Sequence, residues 1–273
     1  MELTIDKQDF LAAIGTPSAQ GDDLFNRCKP LFEPAKEQLE KLYNYAIADY
    51  PNNNLIVKSA TVAFVCLTAY YNAIPSLDLV WSSTGFGIVQ NNTLAPASRE
   101  RVDALRQNVL AEATAQRYRL LNELFTIHDF AVRQSQMGFV CLYSQYQRTA
   151  GDRLSVVDFE NQLPKMRRAE RRMQRLISEA ELDNLRELAH LQWTADYAAS
   201  AVQNEVIELI TSFAIETANG LCTADSYLPD ILAIVNDEQN AADFQAYVNS
   251  SEYEANNSAN YENTLDKPTF FFV

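Results

Sequence analysis

The chain has 273 residues, enough for one large domain or two ordinary ones with a core that needs no disulfide staple. Hydrophobic residues make up 47% and charged residues 21%, which places it among soluble globular proteins and excludes a disordered chain. Only 7 glycines are present, well below an average usage of about 7%, so sandwiches, barrels and Gly-rich phosphate-binding folds are disfavoured, and the formal charge is -14, its excess lying in the C-terminal part, where it disfavours nonspecific nucleic-acid binding.

Along the chain, Asp6 is placed to cap a short helix carrying Phe10, Leu11 and Ile14, closed by Gly15 and Pro17. Asp22 and Asp23 open a longer helix whose apolar residues, from Leu24 to Ala46, recur at three- and four-residue steps, with Pro30 and Pro34 breaking or offsetting its first turns. Leu55 to Ile74 is apolar nearly all round with Lys58 as its only charge, the pattern of a helix central in a bundle. Its longest apolar run, Ser59 to Ile74, has 16 residues with several hydroxyls, short for a membrane span of about 20. After Pro75 the texture changes. Leu77 to Trp81, the turn Ser82-Ser83-Thr84-Gly85 and Phe86 to Val89 predict a β-hairpin over about residues 77–92.

Ser98 is then expected to cap a long helix carrying Val102, Leu105, Val109, Ala113, Leu120 and Leu124, followed by helix over roughly 130–149. Ser155 and Asp158 form a capping-box-like pair that opens a helical region to about Leu188, with Pro164 as its candidate interruption. Further helices are expected to about Thr217, near Leu228 to Val235 and near Ala241 to Val248. Residues 251–273 read as an extended C-terminal tail, because Asn, Ser and Glu dominate it up to Asp266 and it ends in Phe270, Phe271 and Phe272. An exposed Phe-Phe-Phe would be an aggregation liability, so those rings are expected to plug an apolar groove, of a partner rather than of the same subunit. The fold class is therefore mainly α: a multi-helix bundle of roughly seven to nine helices with one projecting hairpin and an extended tail. Residues 1–250 would be the helical body, with two weakly similar halves (about 22–135 and 156–250) suggested by Pro30, Ala35 and Leu42 recurring as Pro164, Ala169 and Leu176.

Charge is distributed unevenly. No Lys or Arg lies between Arg186 and Lys267, while 14 of the 36 acids do, so the rest of the chain carries 22 of each sign. Lys165, Arg167, Arg168, Arg171, Arg172 and Arg175 lie within eleven residues, interrupted only by Glu170. At helical spacing the arginines form one stripe, and Met166, Ala169, Met173 and Leu176 form another that faces the core. Arg168, Arg171 and Arg172 are thus candidate contacts to phosphate or to an acidic neighbour, and the plainer alternative is a solvated helix face. Pairing with the acidic region of another subunit would favour a ring or filament.

Catalytic and metal chemistry have little support. Cys28, Cys66, Cys141 and Cys222 form no C-x-x-C pair, and Cys66 and Cys141 read as small core residues. Glu187 and His190 form a single E-x-x-H, half of what a di-iron bundle needs, so His190 reads as a solvated histidine on a helix surface and no metal or cofactor is expected. No nucleophile elbow, P-loop or G-x-G-x-x-G occurs, and the Gly85-Phe86-Gly87 cluster opens no helix. A Cys–His pair is compatible with the spacing but has no local support.

The run from Leu79-Val80-Trp81-Ser82-Ser83-Thr84-Gly85-Phe86-Gly87-Ile88-Val89 through Pro96-Ala97-Ser98-Arg99-Glu100-Arg101-Val102 resembles a segment of an uncharacterised prophage protein family of gut Bacteroidota, and the ending Lys267-Pro268-Thr269-Phe270-Phe271-Phe272 is similar to that family's C-terminus. The resemblance covers about 30 residues. It implies a non-enzymatic structural protein of the virion, a head-to-tail connector or neck subunit made in the bacterial host cytoplasm. Implied partners are further copies of itself in a homo-oligomeric ring, and the portal and tail or neck proteins. DNA contact would not be sequence-specific, and no membrane is involved. Candidate partner-binding residues are Trp81, Phe86 and Ile88 on the hairpin, Arg168, Arg171 and Arg172 on the stripe, and Phe270, Phe271 and Phe272 at the end. A non-viral helical scaffold or adaptor is the alternative, and a helical enzyme with an unrecognised site the second.

Overall fold

Asp6 opens the first helix as its short carboxylate side chain predicts. In the computed structural model, which describes residues 2–15, 21–77, 79–82, 85–88, 98–135, 137–151, 154–221 and 226–257, the Asp6 carboxylate accepts the Asp9 N–H at 2.8 Å and Asp9 accepts the Asp6 N–H at 3.3 Å. This capping box satisfies donors that α1 (Lys7–Ile14) leaves without intrahelical partners. Gly15 ends the helix at φ 65°, a left-handed conformation that glycine adopts without strain. The chain is mainly α-helical and divides into two units, Met1–Phe130 and Ala131–Val273.

In the first unit, α2 (Gly21–Cys28) runs through a 3₁₀ turn, Lys29–Leu31, into α3 (Phe32–Tyr43). Pro30 sits in that turn, while Pro34 falls in the first turn of α3, where its missing N–H removes no intrahelical bond. Phe32, Ala35, Leu39 and Tyr43 make the buried stripe of α3. The Asn54 side chain accepts from Ile56 and Val57 N–H at 3.0 and 3.1 Å and so starts α4 (Leu55–Ala73). Eleven residues of α4 are buried, because α1, α2 and α3 all pack against it. Burial of each large apolar side chain contributes about 1.5–3 kcal/mol, which makes α4 the main source of cohesion in this unit. Among the described residues, Leu55–Ser76 is the one stretch long and apolar enough to cross a bilayer, and more than half of its apolar window is packed inside the protein.

Beyond α4, β1 (Leu79–Ser82) pairs antiparallel with β2 (Gly85–Ile88), Leu79 opposite Ile88 and Trp81 opposite Phe86. The side chains of this pair, and residues 89–97, lie outside the described residues. α5 (Arg99–Leu124) follows and packs closely on α4. Ser98 stands at its N-cap with extended backbone but makes no side-chain bond to the helix, contrary to expectation. α6 (His128–Ser135) crosses the unit boundary and carries Phe130, which meets Tyr45 and Phe125 edge-on at 5.2 and 5.3 Å.

The second unit departs more from the periodic reading. The helix expected over 130–149 is two helices, α6 and α7 (Tyr143–Ala150), because Gly138 at φ 118° turns the chain out of the helix between them. Pro164, by contrast, interrupts nothing. α8 (Val156–Glu170) passes through it, held by Phe159, Met166 and Ala169, which are buried on either side of the proline where α8 packs on α11 (Ala201–Ala218). The break comes instead at Arg171 to Met173, ahead of α9 (Gln174–Ile177), and at Ser178, whose φ of 67° separates α9 from α10 (Glu179–Leu191). α12 (Leu228–Val235) lies where expected, but helix near 241–248 shrinks to α13 (Gln245–Val248). These breaks divide the chain into more and shorter helices than the seven to nine expected.

The tail expectation also needs correction. Ser251–Asn257 is not extended but forms α14. Its polar composition cannot hold a helix by itself, and neighbours supply what it lacks. Asn256 donates to Leu176 O at 2.9 Å and to the Tyr247 hydroxyl at 3.0 Å, and Tyr253 packs edge-on against Tyr247 at 5.4 Å. Residues 258–273, and with them Phe270 to Phe272, lie outside the described residues, as does Cys222.

Candidate interaction surface and the buried polar cluster behind it

The arginine run splits into two populations. Met166, Ala169 and Met173 are buried and Leu176 half-buried, so the apolar stripe faces the core as expected. Lys165, Arg168, Arg171, Arg172 and Arg175 are exposed, and among the described residues none of the five makes an ion pair or a side-chain hydrogen bond. Arg167 and Arg168 occupy the last turn of α8, where a cation is favoured by the partial negative charge of the helix C-terminus.

Glu170, which interrupts the run in sequence, leaves this surface altogether. It is 1% exposed, and its Oε1 accepts the Phe139 N–H at 3.0 Å. Burial pushes its carboxyl up to about 7, a rise moderated by the Arg186 guanidinium, the Phe139 and Val140 N–H groups and Arg167. Gly138 is required beside it: φ is 118°, and a Cβ there would sit 2.8 Å from the Glu170 Oε2. Arg186 closes the cluster, its guanidinium 5.7 Å from the Phe139 ring centre and paired with Asp183 at 2.7 Å.

The same loop is held from two further sides. Gln145 at the start of α7 accepts the Cys141 and Leu142 N–H groups, each at 2.8 Å, and donates to Phe139 O at 3.0 Å. His190 is wholly buried rather than solvated on a helix surface, with Nε2 2.5 Å from Gly138 O. Its place on the inner face of α10, beside Leu182, Leu185 and Ala189, accounts for the difference from the surface reading. Burial lowers its pKa to about 4, so the ring is neutral at pH 7 and Nε2 carries the proton donated to Gly138 O.

The Cys141 Sγ lies 3.7 Å from His190 Nε2, a pairing that sequence spacing left open. Burial and the Glu170 charge push this thiol up to about 12. A nucleophilic pair needs a thiolate stabilised by an imidazolium. Here both partners are neutral, and the Nε2 proton is directed to a carbonyl. The cluster as built fastens loop 137–142 to α8 and α10. Glu187 of the E-x-x-H is exposed while His190 is buried, and no group of three or more His, Cys, Asp or Glu among the described residues could hold a metal.

Of the sequence-derived candidates, Arg168, Arg171 and Arg172 are all exposed, at the C-terminal end of α8 and in the turn that follows it. Trp81, Phe86 and Ile88 are placed by backbone on the paired strands, Trp81 directly opposite Phe86. Sequence reasoning missed the Glu170 cluster. Its available signals were a lone acid in a basic run and an isolated glycine in a helical pattern, Met137-Gly138-Phe139.

Residues 19–132 match the family DUF6712, a family of unknown function; the match covers less than half of the chain and ends within two residues of the boundary between the two units. No curated protein and no solved structure matches the chain.

Proposed function

We propose that the protein is a structural subunit of a phage virion, a head-to-tail connector or neck component that works by assembling into a homo-oligomeric ring next to the portal. The observation that carries this reading is the thinly covered start of α5, the helix that follows the hairpin in the chain. Arg99 to Asn108 bury no residue, and Leu105 and Leu110 remain 41% and 46% exposed. Ten residues amount to about 15 Å of helix, on which Arg106 reaches α4, donating to the Tyr71 hydroxyl at 3.3 Å and lying 4.9 Å from its ring centre, while most of the surface stays uncovered among the described residues. A two-stranded hairpin is itself marginal without something to pack against. Together, α5 and the hairpin suit a contact with another protein, and the hairpin projects from the body as the contacting arm. The same segment carries the resemblance to the prophage family. In this reading the partners are copies of the chain and the neighbouring portal and tail proteins, any DNA contact is independent of sequence, and the protein is made in the host cytoplasm and ends in the virion neck.

Replacing Trp81 and Phe86 together by Ser tests the arm. The expected result is a lower assembled mass by light scattering with unchanged helical circular dichroism. Wild-type assembly in the double variant would remove the arm, and loss of the monomer fold would make the hairpin part of the core instead.

A further inference from the structure

The cationic surface at the end of α8 carries an inference that goes beyond the connector reading and needs only self-association. Within eleven residues the fold sorts the charges. Glu170 turns inward and accepts the Phe139 N–H, and the half-buried Arg167 lies close enough to lower the Glu170 pKa. Lys165, Arg168, Arg171, Arg172 and Arg175 are left outside with no acid among them. The surface is therefore a stronger cation patch than the sequence implies, since its one neutralising residue has been withdrawn.

The same unit carries the opposite charge elsewhere. From Glu187 to Asp266 there is no Lys or Arg. Glu205 and Glu208 on α11, and Glu238 in the 3₁₀ turn Glu238–Asn240, are exposed and make no ion pair among the described residues. We infer that the arginine surface Arg168–Arg175 docks on the acidic face of α11, where Glu205 and Glu208 lie one helical turn apart, of a second copy of this chain. Both surfaces are solvated and unpaired within one copy, and they are complementary between copies. Two different surfaces meet, so the contact is heterologous, and a pair of copies keeps one unused surface of each sign until a ring or filament forms. A phosphate backbone would find the same arginines, but it would be repelled by the acidic surface carried on the same unit, whereas a second copy uses both.

Sedimentation velocity on the full chain at low and high salt, with two charge-reversed variants, tests this. Self-association of the wild type should weaken steeply from about 0.05 M to 1 M salt, as the screening length falls from more than 10 Å to about 3 Å. The triple variant R168E/R171E/R172E and the double variant E205K/E208K should each associate at least ~100-fold more weakly, since like charges then face each other. Mixed together, the two variants should complement each other. The intact acidic surface of the first meets the intact arginine surface of the second, and the two reversed surfaces are again opposite in sign, so the mixture should regain the association that neither variant shows alone. Because all five positions are exposed, circular dichroism should match the wild type, and the milder R168Q/R171Q/R172Q should weaken association in the same direction. Wild-type association in either charge-reversed variant, or in the glutamine variant at low salt, would overturn the inference. So would a wild type that stays monomeric at low salt but binds mixed-sequence duplex DNA through these arginines, which would assign the surface to nucleic acid.

Discussion

Burial moves Glu170 and His190 in opposite directions, and the two shifts overlap in pH. Glu170 rises from 4.5 to about 7, so the folded protein keeps a proton that the unfolded chain releases. Its contribution is complete below pH 4.5 and is lost as pH rises through 7. His190 falls from 6.5 to about 4, so the unfolded chain takes up a proton that the folded protein refuses. That contribution is complete above pH 6.5 and is lost as pH falls toward 4. Between the two limits the slopes oppose, each at most about 1.4 kcal/mol per pH unit. Glu170→Gln resembles the protonated side chain and removes only the first slope. Its stability relative to the wild type should therefore climb from pH 4.5 to 7 in thermal melts. A difference independent of pH would mean that Glu170 is ionised throughout. Neither residue was legible as buried from its neighbours alone: an acid among arginines and a histidine on an amphipathic helix are both usually solvated.

At the scale of elements, caps were easier to read than interruptions. Asp6 and Ser155 cap as their types predict, since an N-cap is a bond across three residues, Asp9 N–H and Asp158 N–H at 2.8 and 3.2 Å. Pro164 and Gly138 were harder, because the outcome depends on residues far away in sequence, α11 for the first and Glu170 for the second. The two ends of α5 make a contrast that can be measured. Leu120 is fully buried, and Leu120→Ala should destabilise by about 2–5 kcal/mol. Leu110 is 46% exposed, so Leu110→Ser should change stability by less than about 0.5 kcal/mol while lowering assembled mass. Equal losses in a denaturant titration would place Leu110 in the core and remove the thinly covered helix end from the assembly argument.

For the whole molecule, the division after Phe130 gives the family match a physical extent. Residues 19–132 end where the first unit ends, and that unit has its own core of Phe10, Val65, Leu120 and Phe125. A fragment of residues 1–135, which keeps α6 entire and Phe130 against Tyr43, Tyr45 and Phe125, should fold with helical circular dichroism and melt cooperatively. A non-cooperative melt would show that this core is insufficient by itself. Sequence alone determined the helical class, the central place of α4 and the segregation of charge, because these follow from composition and from a period of 3.6 residues. Only the tertiary structure decided that Glu170 and His190 are buried together, that the chain passes through Pro164 yet turns at Gly138, and that Ser251–Asn257 is helical. Each of those outcomes rests on a partner at least thirty residues away or on another helix, and no local pattern encodes which distant group will meet a polar atom that has left water.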